Sequence, residues 1–472
     1  MLALVCVVLS GTPASAAPLT VPDAMRLAVE RSPEASAARA RRDSTALEEP
    51  LLLSNLDPKV MGSYVYQDDR APRTAPAFQG TRARTERWET GFSQTTLLGT
   101  EAKLVWRGER LVNPSAFRPL DPTVDSRLAL ELKQKLLRYF WGRPDVARRS
   151  RARAGTAAAE SDFTLARSAA AAAAAAAVIE LRAAQQLQAI REEAVADARL
   201  LLKRTEEKSR YGTAEASDRF QAQAALESAE IELLLALSAR TRARHALASA
   251  LREEGPADAL EVSTETPRGL PAESALPAAE AEALARRPDL EASRRRRDAL
   301  KWAARIARLD TLPDLSLDAS YAFAGLDSSY GGAWSDMGGG RHPVAAIGLS
   351  VVVPLTFRQE RLVRRQADRA LAAAEAELAG AENAARRAWR DARETLSLSR
   401  RRRAAAERLA AIEAGKLKAG ESDFRSGRAT TDLLVRFQQD LRRARAELVR
   451  AEADESLALI ELARQAGLAG AS

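Results

Sequence analysis

The sequence predicts a mainly helical chain in which long antiparallel coiled-coil hairpins are joined to short amphipathic β-strands. Three observations predict it. The chain repeats its own pattern once, each half holds two very long stretches with heptad-like apolar spacing, and short segments beside them alternate apolar and polar residues.

The duplication comes first because it orders everything else. Ala28-Val29-Glu30-Arg31-Ser32-Pro33-Glu34 aligns with Ala283-Leu284-Ala285-Arg286-Arg287-Pro288-Asp289 at an offset of 255, and Arg42-Asp43 with Arg297-Asp298 at the same offset. Pro58 and Pro313 each open a strand-like run. Further on Leu137 matches Leu355 and Gly212 matches Gly427, so the first half carries an insertion of about 37 residues. The expected organisation is a first repeat over 18–262, with an inserted hairpin at about 68–127 and a helical hairpin over 144–252. The second repeat covers 263–472, with a strand pair over 314–355 and a helical hairpin over 361–466. A linker over 253–277, with Gly255-Pro256 and Pro267, separates them.

Heptad spacing marks the helices. Leu371, Ala374, Leu378, Ala381, Ala385 and Ala388 form one seam, and Leu434, Phe437, Leu441, Ala444, Leu448 and Ala451 another. Each repeat holds one helix of about 65 residues, roughly 95–100 Å long, and a return helix of about 38. A feeding helix of about 32 residues precedes the strands, so a return helix and a feeding helix stacked end to end match the long one. Ala169 to Ala177 reads as a helix surface that neighbours approach closely.

The strands have a period of two. Leu128, Leu130 and Leu132 alternate with polar or small neighbours; so do Leu315 to Phe323 and Ile347 to Val353, and Val60 to Tyr66 is a fourth candidate. One apolar and one polar face suits a wall between lipid and a watery lumen, and also a half-buried soluble sheet. Four strands leave edges that lipid cannot satisfy, so a barrel needs several chains; three copies supply twelve strands, enough for an open lumen. Trp88 to Thr95 and Thr100 to Trp106 flank Leu97-Leu98-Gly99 and read as a hairpin in the insertion, either a barrel extension or an external flap. Aromatic residues (Tyr64, Tyr66, Trp88, Trp106, Tyr139, Tyr321, Phe323, Trp334) gather in the strand segments, as in a bilayer girdle or a soluble core.

Charge and chemistry narrow the function. Net charge is +8 with 29% charged and 5% aromatic residues; arginine alternates with acids along helices, which marks solvated faces and argues against nucleic acid. Cys6 is the single cysteine, within an apolar run from Leu2 to Leu9 before Ala14-Ser15-Ala16-Ala17, so residues 1–17 read as a signal peptide. No helix is expected to span a membrane. His245 and His342 have no partner at ligand spacing, and neither catalytic constellation nor phosphate loop is present. No cofactor, metal site or enzymatic activity is expected.

In combination, Ala285-Arg286-Arg287-Pro288-Asp289-Leu290, Leu312-Pro313-Asp314-Leu315-Ser316-Leu317, Gly348-Leu349-Ser350-Val351-Val352-Val353-Pro354-Leu355 and the turns near Gly212 and Gly427 resemble the TolC-like outer-membrane efflux proteins across almost the whole chain. The resemblance implies a homotrimer whose helices form an α-barrel through the periplasm and whose strands, four per protomer, form a 12-stranded barrel in outer-membrane lipid. It implies a passive channel docked to a periplasmic adaptor and an inner-membrane pump, for efflux or type I secretion, in a Gram-negative-type cell. Tyr211, Gly212, Gly427 and Arg428 then fall at the adaptor-docking tip, and Asp218, Phe424, Arg428 and Asp432 at the periplasmic gate. The glycines serve equally as plain helix C-caps. The alternative, a periplasmic coiled-coil adaptor without a pore, predicts one hairpin and one flanking β region where this chain has two of each.

Overall fold

The computed structural model describes residues 19–115, 119–210, 216–253, 260–263, 270, 276–426 and 428–468. The expected signal peptide with Cys6, most of the 253–277 linker, and Tyr211, Gly212 and Gly427 lie outside them. The first repeat runs α1 (Val21–Arg31), α2 (Pro33–Ala46), α3 (Glu48–Ser54), β1 (Lys59–Asp69), α4 (Pro76–Gln79), β2 (Ala83–Thr95), β3 (Thr100–Val112), β4 (Thr123–Lys135), a short 3₁₀ turn (Phe140–Gly142), α5 (Arg143–Arg210) and α6 (Ala216–Leu251). The second runs α7 (Glu280–Arg286), α8 (Pro288–Leu309), β5 (Asp314–Asp327), α9 (Tyr330–Gly338), β6 (Pro343–Val352), α10 (Arg358–Arg425) and α11 (Thr431–Gln465).

Duplication extends to backbone angles. Ser32 and Arg287 interrupt the feeding helices with φ/ψ of −67°/119° and −72°/120°. Both precede a proline, whose ring excludes the helical region for the residue before it. The prolines then open α2 and α8, where a missing N–H costs nothing. Arg42 meets Asp43 at 2.7 Å and Arg297 meets Asp298 at 2.9 Å, the same neighbour pair in each copy. α5 and α10 are both 68 residues, offset by 215 from end to end.

Helix ends repeat too. Glu253 N–H bonds to Ala248 O and Arg252 N–H to Ser249 O; at the same offset, Leu468 N–H bonds to Ala463 O and Gly467 N–H to Arg464 O. These are the paired bonds of a Schellman cap, which requires a left-handed residue. Gly467 supplies it at φ 72°, whereas the first copy uses Arg252 at φ 52°. Ahead of the long helices the roles reverse, with Gly142 at φ 66° and Phe357 at φ 47°.

The elements divide into two compact units: a helical one over Met1–Arg41, Ala159–Ala292 and Leu378–Ser472, and one carrying the sheet over Arg42–Ala158 and Ser293–Glu377. In the helical unit Ala174, Ala175, Val178 and Leu181 of α5 pack with Leu247 and Leu251 of α6 and with Val21, Ala24 and Ala28 of α1. Alanine lets the three backbones approach, so the low-complexity run is core. A second cluster joins Trp389, Ala392 and Leu396 of α10 to Ala283, Ala458 and Leu462. By length and composition alone, one stretch within 140–210 is apolar enough to cross a bilayer. The alanine run from Ala169 to Ala177 supplies that apolarity, with Glu180 and Arg182 following it.

The sheet is a single antiparallel meander of six strands, ordered β1-β2-β3-β4-β5-β6. All four expected strands are present as β1, β4, β5 and β6. The chain has six rather than four because the inserted hairpin β2–β3 pairs into the middle of the sheet.

Candidate functional site

Two regions bring together the residues singled out by sequence, one in each unit. In the helical unit, α5 ends at Arg210 and α6 begins at Ala216, and α10 ends at Arg425 and α11 begins at Thr431. The Lys208 ammonium sits 4.2 Å from the centre of the Phe424 ring, tying the end of α5 to the end of α10. Gln221 Nε2 donates to Asp432 Oδ1 at 2.6 Å, tying α6 to α11, and Arg436 pairs with the same carboxylate at 2.9 Å. Arg428 is held within its own turn, 2.9 Å from Asp423, with its N–H on the Asp423 carbonyl at 2.8 Å. Asp218 lies in the first turn of α6, where an acid favours the positive helix end.

Packing beneath these links is tight. Leu201, Ala222 and Val435 form a buried cluster from three helices. A Cβ on Gly420 would come within 2.5 Å of the Phe437 ring, so α10 and α11 cross closely there. Lys416 bonds Asp440 at 2.9 Å and Glu413 at 3.1 Å and stands over the same ring. The Asp440 bond, then the Glu413 bond, hold its ammonium above the usual lysine range. Thus the structure joins Phe424 and Asp432 to other helices and keeps Arg428 local. Lys208, Gln221 and Asp423 escaped sequence reasoning. One signal was available: Lys208 and Asp423 occupy the same repeat position with opposite charges.

In the sheet unit, register assigns every strand residue to a face. The row Tyr64, Trp88, Gly108, Ser126, Gly325 lies on one face, and Ser63, Glu89, Arg107, Arg127 on the other. Following the alternation, the first face gathers Val60, Phe92, Leu104, Trp106, Leu128, Leu130, Leu132, Tyr321, Phe323, Ile347 and Leu349. The opposite face is charged and internally paired: Arg107 bridges Glu89 at 3.0 Å and Glu131 at 2.7 Å, Arg87 meets Glu109 at 2.7 Å, and Lys133 meets Asp318 at 3.6 Å. A wall between hydrocarbon and water requires this division.

Aromatic residues bound the apolar face at both ends. At one end Trp88 lies 4.9 Å from Tyr330 and 5.9 Å from Trp106, and Trp106 lies 5.3 Å from Trp334. Trp106 Nε1 donates to Ser126 Oγ at 2.8 Å and Tyr330 O–H to Glu86 at 2.9 Å, whereas the buried Trp88 Nε1 has no partner among the described residues. Gly325 admits α9 against the sheet, since a Cβ there would stand 2.2 Å from Ala333 O. At the opposite end lie Tyr139, Phe140 and Trp141, beside the Leu97–Gly99 turn. Nine residues from Trp88 to Leu97 rise roughly 30 Å along the strand, or about 23 Å at a tilt of about 40°, close to an outer-membrane apolar band.

Residues 281–468 match the sequence model of the family described as outer membrane efflux protein. No curated protein matches the chain. Among solved structures, the outer-membrane channel OprN is 20% identical with a TM-score of 0.68, over 95% of this chain and 89% of that one. The Campylobacter jejuni CmeC outer membrane channel is 17% identical at 0.67, over 95% and 86%. The Vibrio cholerae outer membrane protein VceC is 18% identical at 0.66, over 95% and 96%.

Two long helical hairpins in duplicate, with a sheet of one apolar and one charged face, define the fold of an outer-membrane channel protein. The second repeat matches the outer membrane efflux protein family by sequence, and the whole chain shares the fold of the solved outer-membrane channels.

Proposed function

We propose that three copies of this chain form a passive channel that leads from the periplasm through the outer membrane, driven by a separate inner-membrane pump through a periplasmic adaptor. The division of the sheet into an apolar face and an ion-paired face supports this reading most directly. The adaptor docks at the hairpin turns around Tyr211, Gly212, Gly427 and Arg428. Asp218, Phe424, Arg428 and Asp432 hold the periplasmic entrance closed. Asp432 and Phe424 already link neighbouring helices through Gln221 and Lys208, as a latch between hairpins needs. Neither cofactor nor catalytic group enters this function.

The test is purification from outer membranes in detergent, measurement of oligomer mass, and conductance in planar bilayers. A trimer with discrete conductance is expected. A water-soluble monomer without pore activity overturns the proposal.

A further inference from the structure

We infer that the inserted hairpin β2–β3 is barrel wall, so that a closed trimer of this chain has eighteen strands, six from each copy, where the duplicated strands alone would make twelve. The inference rests on the trimeric reading above. Four observations carry it.

First, the hairpin is paired on both sides, β1 to β2 over Lys59 to Asp69 and β3 to β4 over Thr100 to Leu111, so β1 and β4 do not touch as ladder neighbours. A flap outside the wall would leave β1 on β4. Secondly, the two faces continue through the insertion without a break. Phe92 and Leu104 extend the apolar face, while Glu89 and Arg107 extend the charged lattice and connect it to Glu131 of β4. An external flap has no reason to carry a luminal charge pattern.

Thirdly, the hairpin turn is seated on the chain that leads into α5. A Cβ on Gly142 would stand 1.8 Å from Leu97 O, and Gln134 Nε2 donates to Leu98 O at 3.3 Å. Fourthly, the edges need partners. Along β6 (Pro343–Val352) there is no charged residue, every position is exposed in the single chain, and Ile347 is 78% exposed. Soluble sheets protect such an edge with charge, proline or a bulge; in lipid only closure satisfies its backbone. β1 offers the opposite edge with Val60 82% exposed. Adding two strands keeps the number per copy even, so β6 of one copy meets β1 of the next antiparallel, as it would with four. A second and third copy are therefore the occupants of these edges. Barrel diameter grows about linearly with strand number, making this wall about one and a half times as wide as one of twelve strands.

The test uses the full chain with Cys6→Ser and two cysteine pairs. Ser63 and Glu89 face each other across β1 and β2. Ser63 and Arg127 stand three inter-strand spacings apart, about 14 Å, beyond disulfide reach. Oxidised in outer-membrane vesicles, Ser63→Cys with Glu89→Cys is expected to cross-link nearly completely within each copy, and Ser63→Cys with Arg127→Cys not at all. The reverse pattern, or failure of the first pair in protein that remains trimeric, overturns the wall assignment and leaves the channel reading standing. A native mass other than three copies instead overturns the trimer, whatever the disulfides show. Images of the purified trimer should count eighteen strands; twelve would refute the inference.

Discussion

Arg252 and Gly467 occupy one structural position in two copies of the same motif, and only glycine is free there of a steric cost. The left-handed conformation costs an L-residue about 1–2 kcal/mol, against which Arg252 sets an exposed ion pair with Glu34 at 2.8 Å. Arg252→Gly is therefore expected to stabilise the protein by up to about 1 kcal/mol in chemical denaturation, and Gly467→Arg to destabilise it, since a Cβ there would stand 2.4 Å from Arg286 O. At the tip, Asp432→Ala and Arg428→Ala test the proposed gate. Each should raise single-channel conductance with little change in melting temperature, because exposed ion pairs contribute little to stability. Unchanged conductance would return both residues to turn geometry alone.

Elements are held by alanine-spaced seams and by the proline elbows. Leu181 is completely buried between α5, α6 and α1, so Leu181→Ala should cost about 2–5 kcal/mol, read as a lowered denaturation midpoint. At the second elbow, burial pushes the Asp289 carboxyl up, but the hydrogen bond and charge of Arg287 at 2.7 Å outweigh it and hold the group below the usual aspartate range. With the folded value depressed, the tie is fully present above the ordinary aspartate pKa of about 4 and is lost as pH falls through the lowered value. Hydrogen exchange of the α8 amides near Leu290 should accelerate across that window, and Asp289→Asn should flatten the dependence. The heptad seams on α10 and α11 were legible because burial follows a period that sequence displays directly: Ala385, Leu434, Leu441, Ala444 and Ala451 are all buried. The alanine run of α5 was harder, since alanine fits a surface or a close core equally well.

At the scale of the whole molecule, the sheet ends in the two edges β1 and β6, and the predictions concern the proposed assembly. Ile347→Lys places a charge on the apolar face of the exposed edge, at a cost of about 2–4 kcal/mol near the bilayer midplane. It should deplete trimer from the outer membrane. Ala346→Lys, one residue away on the other face, should be tolerated. Equal loss for both would mean that the faces are assigned wrongly.

The sequence by itself determined the duplication, the helix boundaries to within a few residues, the four repeated strands and their alternation, and the resemblance to outer-membrane efflux proteins. Each is a periodic or local property: heptads, two-residue alternation, a proline that forbids helix before it, a repeat offset that survives residue change. Only tertiary structure decided where the insertion goes. A hairpin with one apolar face reads the same whether it lies in a wall or on it, and pairing partners come from long-range register that no local pattern encodes. The same holds at the tip: Gln221 and Lys208 look like ordinary helix-surface residues until two hairpins bring them against Asp432 and Phe424.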